Sequence, residues 1–145
     1  MRHEKKYFYH LTYETSWGDE IILEPLETGC NRPEEEMIAK RICVSDEIEK
    51  CLTAIPFRVG RPLQIYRTKN KVRASHPPDG HGIFDISVTD ERWIRRKTSF
   101  VRTGVLSIPD AVIKTMGCPS IIGKVDESRL FLEEWRKIGI RQYIT

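Results

Sequence analysis

Short runs of hydrophobic residues alternate with turn-forming residues through most of the chain. Runs rich in aromatic and β-branched residues are typical of strands, and they predict strands over residues 6–12, 40–45, 62–68, 83–88, 92–96 and 100–108, whereas residues 20–26 are a short apolar stretch. Between these runs, residues 28–33 and 74–82 contain proline, glycine and polar residues, which favours loops. In 83–88 apolar and polar residues alternate, as expected of a strand that is buried on one side.

Other segments carry apolar residues at every third or fourth position, the period of a helix with one buried face. They predict helices over residues 46–54, 110–116 and 126–138. Ser45 or Asp46 caps the first helix, and Pro56 stops it. Pro109 is placed for the first turn of the second helix, which Gly117 closes.

Together these elements predict an α+β fold, as one compact domain over residues 1–145. We expect a mixed or antiparallel sheet core flanked by short helices, with a C-terminal amphipathic helix. A content of 39% hydrophobic and 31% charged residues is ordinary for a soluble domain. No apolar run approaches the roughly 20 residues that cross a bilayer, and no apolar signal core follows the N-terminus. A cytoplasmic protein without a membrane partner is therefore expected.

The net charge of +3 hides an uneven distribution of charge. Residues 58–102, here called the basic segment, contain eleven Lys or Arg against four Asp or Glu, a balance of +7 that leaves −4 for the rest. A local excess of positive charge concentrates anions near it. The basic segment is therefore either a solvated face or a surface for an anionic ligand, with nucleic acid as one candidate partner.

Motifs for other kinds of site are weak. The chain has no P-loop and no glycine-rich dinucleotide fingerprint. His76 and His81 share a loop with an aspartate, yet no further ligand stands at a recognisable spacing, so no metal site is predicted. Trp135 is assigned to the core, whereas Trp93, between arginines, is either core or a surface on which a base stacks. Small buried side chains are expected at Cys43 and Cys51.

Several short strings are similar to those of the ADP-ribosyltransferase-like superfamily. Tyr9-His10-Leu11-Thr12 resembles the string that ends the first strand in that superfamily. Residues 41–46 resemble its strand–serine–helix unit, and residues 63–67 resemble a strand that ends at a basic tip. Residues 89–94, in which a glutamate precedes a tryptophan, resemble the segment that completes the site. The resemblance extends over residues 6–105.

The resemblance implies NAD as cofactor and a particular set of site residues. His10 would hold the NAD ribose, and Glu91 would orient it and stabilise the positive charge that develops as nicotinamide leaves. These two are the catalytic residues that the resemblance implies. The residues it implies for cofactor binding are Tyr9, Thr12, Arg41, Ser45, Tyr66 and Arg67. Residues 106–145 have no counterpart and are expected to form a helical extension packed on the core.

Three functions follow as hypotheses. The first is ADP-ribosyl transfer to a macromolecular target, or NAD cleavage. The second is a non-catalytic protein that sequesters a nucleotide signal. The third is an inhibitor of a nucleic-acid-binding complex, which acts through the basic face. The size and character of the chain also resemble small phage or prophage proteins, for which the last two hypotheses would be counter-defence roles in the host cytoplasm.

Overall fold

The computed structural model describes residues 4–26, 41–53, 61–76, 91–116 and 125–145. The strands within them are β1 (Tyr9–Thr12), β2 (Glu20–Leu23), β3 (Ile42–Val44), β4 (Leu63–Thr68), β5 (Arg92–Ile94) and β6 (Thr98–Leu106). The helices are α1 (Ile48–Thr53), α2 (Asp110–Met116) and α3 (Val125–Ile138), with a 3₁₀ helix at Ile140–Tyr143. The predictions for 28–33, for most of 74–82, for 83–88 and for Gly117 lie outside the described residues.

The strands form two antiparallel sheets, which together with the short helices confirm the predicted α+β class. A four-stranded sheet has the order β1-β4-β6-β2, and β3 pairs with β5 in a second sheet. Every pairing between these strands is antiparallel. The sheets thus correspond to the antiparallel form of the predicted sheet core.

One edge of β3 meets both outer strands of the four-stranded sheet. Ser45 exchanges two backbone hydrogen bonds with Tyr9, the first residue of β1, at 3.1 and 2.7 Å. At the other end of β3, Arg41 exchanges two with Leu26, at 2.9 and 3.1 Å, just beyond β2. The four-stranded sheet therefore curls until both its edges reach β3, which leaves only the middle of that edge, at Cys43, without a strand opposite it.

A β-bulge in β6 lets this strand contribute to two separate hydrophobic clusters. Ile65 pairs with Gly104, but the next residue, Tyr66, pairs with Arg102, so that one residue of β6 is extra. The helix-side cluster contains Leu11, Ile48, Cys51, Leu52, Leu63, Ile65, Leu106, Trp135 and Ile140. The strand-side cluster contains Phe8, Ile42, Val44, Tyr66, Ala74, Ile94 and Phe100.

Ion pairs join α1 to the C-terminal part of the chain. Arg136 donates two hydrogen bonds to the Glu47 carboxylate, at 2.9 and 2.7 Å, and this pairing lowers the pKa of Glu47 to about 2. Arg141 donates to the buried Glu49 at 3.0 Å. These contacts hold α3 and the 3₁₀ helix over the helix-side cluster. Of the helices in the described part of the chain, none is long and apolar enough to cross a membrane.

Candidate functional site

His10, the first of the predicted catalytic residues, is held by a backbone carbonyl. Its Nδ1 lies 2.9 Å from the carbonyl oxygen of Cys43. Because a carbonyl oxygen only accepts, Nδ1 must donate, and in the neutral ring Nε2 then carries the lone pair. The imidazole stacks on Trp17, with ring centroids 5.9 Å apart and planes at 20°, and meets the edge of Phe100 at 6.2 Å.

The position of His10 follows from the edge of β3. Along this edge Arg41 and Ser45 pair with backbone groups on either side of Cys43. In an antiparallel strand, alternate residues point their backbone groups in the same direction, so the Cys43 carbonyl faces the gap between these two pairings. The imidazole of His10 fills that gap and satisfies the carbonyl, which is a structural task that the sequence pattern does not reveal.

We expect the protein to lose stability as the pH falls below 6.5, the ordinary pKa of histidine. Burial lowers the pKa of His10 in the folded state, so the unfolded chain takes up a proton where the folded chain does not. The free energy of unfolding should fall by up to about 1.4 kcal/mol per pH unit, until the lower pKa of the folded state is reached. Urea unfolding followed by circular dichroism at a series of pH values measures this slope.

The matched variant for this prediction is His10→Asn. An asparagine amide can still donate to the Cys43 carbonyl, but it does not titrate. The variant should show a flatter pH dependence just below pH 6.5, and an unchanged slope would contradict the prediction. Loss of the Glu47 ion pair does not confuse the result, because its window lies between about 4.5 and about 2.

Glu91, the second predicted catalytic residue, belongs to a cluster around Trp93 and Cys43. Its Oε2 accepts a hydrogen bond from the Trp93 ring nitrogen at 2.8 Å. Arg41 is only 2% exposed, and its guanidinium lies over the same indole, 4.3 Å from the ring centroid. Burial and the nearby Glu91 carboxylate raise the pKa of the Cys43 thiol to about 12, so this thiol is protonated and unreactive near neutral pH.

His10 and Glu91 therefore meet the same residue from two sides. The backbone carbonyl of Cys43 accepts from His10, and its thiol lies within electrostatic range of Glu91. Ser45 is buried beside this cluster and pairs through its backbone with Tyr9. The fold thus brings five of the eight predicted residues, Tyr9, His10, Arg41, Ser45 and Glu91, to one short stretch of β1, β3 and β5.

Of the three remaining predicted residues, one lies beside His10 and two lie elsewhere. Tyr66 is completely buried in the strand-side cluster, and its hydroxyl donates to the Gly18 carbonyl at 2.6 Å. Thr12 lines a separate cleft of about 360 Å³, together with Arg61. Arg67 is half-buried, and its guanidinium covers the ring of Tyr7. Thr12 and Arg67 thus lie away from the Cys43 cluster, whereas Tyr66 pairs with His10 across β1 and β4, and Trp17 contacts both rings, at 5.4 and 5.9 Å between centroids.

A second cleft, of about 350 Å³, opens beside β5 and is here called the basic cleft. Ser75 and Trp93 exchange two backbone hydrogen bonds, at 2.9 and 2.8 Å, which join the segment before residue 76 to β5. The lining residues are Arg73, Ala74, Ser75, Trp93, Ile94, Arg95 and Arg96. Buried apolar side chains form its floor, whereas its three arginines are exposed.

The basic cleft is suited to an anion by charge and by geometry. A guanidinium presents several donors in one plane and can bind a phosphate or carboxylate through two hydrogen bonds. The Arg95 guanidinium also lies 5.8 Å from the centroid of the Trp93 ring, which the buried Arg41 contacts as well. Trp93 itself is 1% exposed, which supports its interpretation as a core residue rather than a surface for stacking.

The sequence predicts the basic segment but not the basic cleft. The prolines and glycines of residues 74–82 predict a loop, and nothing in that pattern predicts that Ser75 pairs with Trp93. The feature of the sequence that points to the cleft is the absence of any acidic residue from 55 to 75, the stretch that contains Arg73.

Within the part of the chain that the structure describes, no three His, Cys, Asp or Glu side chains group around a common point. The loop that carries His81 lies outside the described residues.

Comparison with protein-family models, with curated proteins and with solved structures gives no match to this chain.

Proposed function

We propose that the protein binds a nucleotide, whose phosphate groups lie on the arginines of the basic cleft. The observation that carries this proposal is the convergence of Arg73, Arg95 and Arg96 on one concave surface. Hydrogen bonds from a guanidinium to a phosphate are charge-assisted and among the strongest that a protein surface forms. Sequestration of a nucleotide signal requires binding of this kind and no chemistry.

The contacts of the predicted NAD site favour binding over catalysis. The His10 Nδ1 is used by the Cys43 carbonyl, and the Tyr66 hydroxyl is used by the Gly18 carbonyl. Ser45 is 3% exposed. Groups that act on a substrate must reach it, whereas these groups are held by the fold itself. The three arginines of the basic cleft are exposed, so a ligand in solution can reach them.

We expect Arg95→Gln and Arg96→Gln each to weaken nucleotide binding by roughly 10- to 150-fold. This range corresponds to about 1.5–3 kcal/mol for a hydrogen bond to a charged group. Isothermal titration with ATP, ADP-ribose, NAD and inorganic phosphate measures the change. Lys97→Gln is the matched control, since it removes one charge next in sequence from a side chain paired with Glu24 at 3.0 Å. Equal losses in all three variants would indicate a diffuse charge effect and contradict the proposed site.

NAD cleavage is the second candidate, and one contact favours it. Glu91 reaches the ring nitrogen of Trp93, a residue that also lines the basic cleft. A dinucleotide with its diphosphate on the cleft arginines would place a ribose near this carboxylate. Release of nicotinamide in the NAD titration, lost in Glu91→Gln while NAD binding persists, would favour the enzyme. Binding of NAD without release would favour the sequestering protein.

A further inference from the structure

Two cations lie against Tyr7, of which Lys71 is exposed and Arg67 is half-buried. Tyr7 is 38% exposed, so a ligand in solution can reach its ring. The Arg67 guanidinium lies 4.1 Å from its centroid, and the Lys71 ammonium lies 5.7 Å from it. Two cations therefore share one exposed aromatic ring on the outer surface.

Within the described ranges, no acidic side chain is paired with either of these two cations, Arg67 and Lys71. The chain has no acidic residue at all from position 55 to position 75. Like charges gathered around one ring repel each other, and an anion placed between them relieves that repulsion.

The Tyr7 group adjoins the basic cleft through one extended segment. Val72 exchanges two backbone hydrogen bonds with Lys6, at 2.9 and 2.8 Å, and Ser75 pairs with Trp93 on the opposite side. Val72 and Ala74 pack into the strand-side cluster, so the alternate residues Lys71 and Arg73 point outward.

The spacing of these outward cations suits a chain of phosphates. Lys71 and Arg73 are two residues apart on an extended backbone, roughly 6.6 Å. Lys71 stands beside Tyr7, whereas Arg73 lines the basic cleft. The two groups thus form one continuous surface, here called the basic strip, which runs from Tyr7 across residues 71–75 to the arginines that follow β5.

We infer that the ligand of the basic strip is a single-stranded nucleic acid. A base stacks on the pair formed by Tyr7 and Arg67, and the backbone phosphates lie on Lys71, Arg73 and the arginines of the basic cleft. Aromatic rings beside cations bind single strands in this way because every base has a stacking face. In a duplex the bases are already stacked on each other and cannot reach the ring. The inference rests on the proposed function and names its substrate class.

The test compares ligand lengths by fluorescence anisotropy. The probes are a single thymidine nucleotide and oligothymidylates of about four and about sixteen nucleotides, which span the site sizes of single-strand-binding domains. Tyr7→Ala should weaken oligonucleotide binding roughly 5- to 150-fold, whereas Tyr7→Phe should retain it, because stacking requires the ring. Neither variant should change binding of the mononucleotide.

Salt dependence provides a second readout. For single strands the slope of log affinity against log salt changes by about 0.7 for each phosphate contact. Lys71→Gln should reduce the slope for the oligonucleotide by about that amount. Lys69→Gln is the matched control, since Lys69 is paired with Glu20 at 2.7 Å, and it should leave the slope unchanged.

The outcomes distinguish the inference from the proposed function. Mononucleotide binding without any gain in affinity from a longer strand would overturn the inference and leave the proposed function intact. Tighter binding of a duplex of the same length, unaffected by Tyr7→Ala, would also overturn it. Absence of binding to every nucleotide and oligonucleotide would overturn both, and would direct attention to an acidic protein partner.

Discussion

Replacement of Trp135 by alanine is expected to lower the free energy of unfolding by about 3–5 kcal/mol, the range for removal of a buried tryptophan. Trp135 has no exposed surface and lies in the helix-side cluster, between α1 and the strands β1 and β4. The loss of contacts is not recovered by collapse, because ion pairs from Glu47 and Glu49 hold the neighbouring backbone in place. For a domain whose total stability is about 5–15 kcal/mol, this is a large fraction.

Urea unfolding followed by far-ultraviolet circular dichroism measures the change, since the substitution itself alters tryptophan fluorescence. Trp135→Phe retains an aromatic ring and should cost clearly less, so it yields a value even if the alanine variant does not fold. Glu133→Ala, an exposed position on the same helix, should stay within about 0.5 kcal/mol of the parent protein. A cost for Trp135→Ala near that of Glu133→Ala would contradict the position of α3 on the core.

Phe100→Ala is expected to have an effect of similar size, about 3–5 kcal/mol. Phe100 is completely buried in the strand-side cluster, on the side of the bulge opposite to Leu106. Its ring also lies against His10, at 6.2 Å between centroids. Its removal should therefore both open a cavity and admit water to the imidazole, which returns the pKa of His10 toward its ordinary value.

Two measurements check this prediction. The histidine pKa followed by nuclear magnetic resonance should rise in Phe100→Ala, whereas Phe100→Leu should cost less than about 1.5 kcal/mol and leave that pKa low. The two alanine variants lie in clusters on opposite faces of the sheet, so their costs should add to within about 0.5 kcal/mol. A large departure from additivity would show that the two clusters are one packing unit.

Binding and catalysis make different demands on the residues that the ADP-ribosyltransferase resemblance selects. A binder needs His10 and Ser45 only to keep β1 and β3 together, which their contacts achieve. An enzyme needs the free Nε2 of His10 and the Glu91 carboxylate to reach a ribose. The His10→Asn variant separates these demands, since it preserves the contact with Cys43 and removes the ring nitrogen that a substrate would meet.

The strands and helices of the described ranges follow closely from local pattern. The helix over 110–116 has the predicted bounds, and the others differ by one or two residues at their ends. Such agreement is expected where the hydrophobic period, a cap and a proline all indicate the same element. The basic character of residues 58–102 was equally readable, because charge composition does not depend on how the chain is folded.

Local pattern does not predict which hydrophobic cluster each side chain of β6 joins. Phe100 and Leu106 are six residues apart, so simple alternation places them on the same side of a strand. The bulge opposite Ile65 and Tyr66 reverses the alternation and sends the two side chains to opposite clusters. A bulge is selected by the packing on both faces of the sheet at once, and no local run of residues encodes that requirement.

The candidate site depends on long-range pairing in the same way. The resemblance to the ADP-ribosyltransferase-like superfamily implies roles for His10 and Glu91, but the sequence predicts only a packing role for their common neighbour Cys43. The basic cleft exists because Ser75 pairs with Trp93, eighteen positions further along the chain. Composition therefore determines that this protein carries an excess of positive charge, whereas the pairing of distant strands determines where the arginines converge, since only folded backbone brings them to one surface.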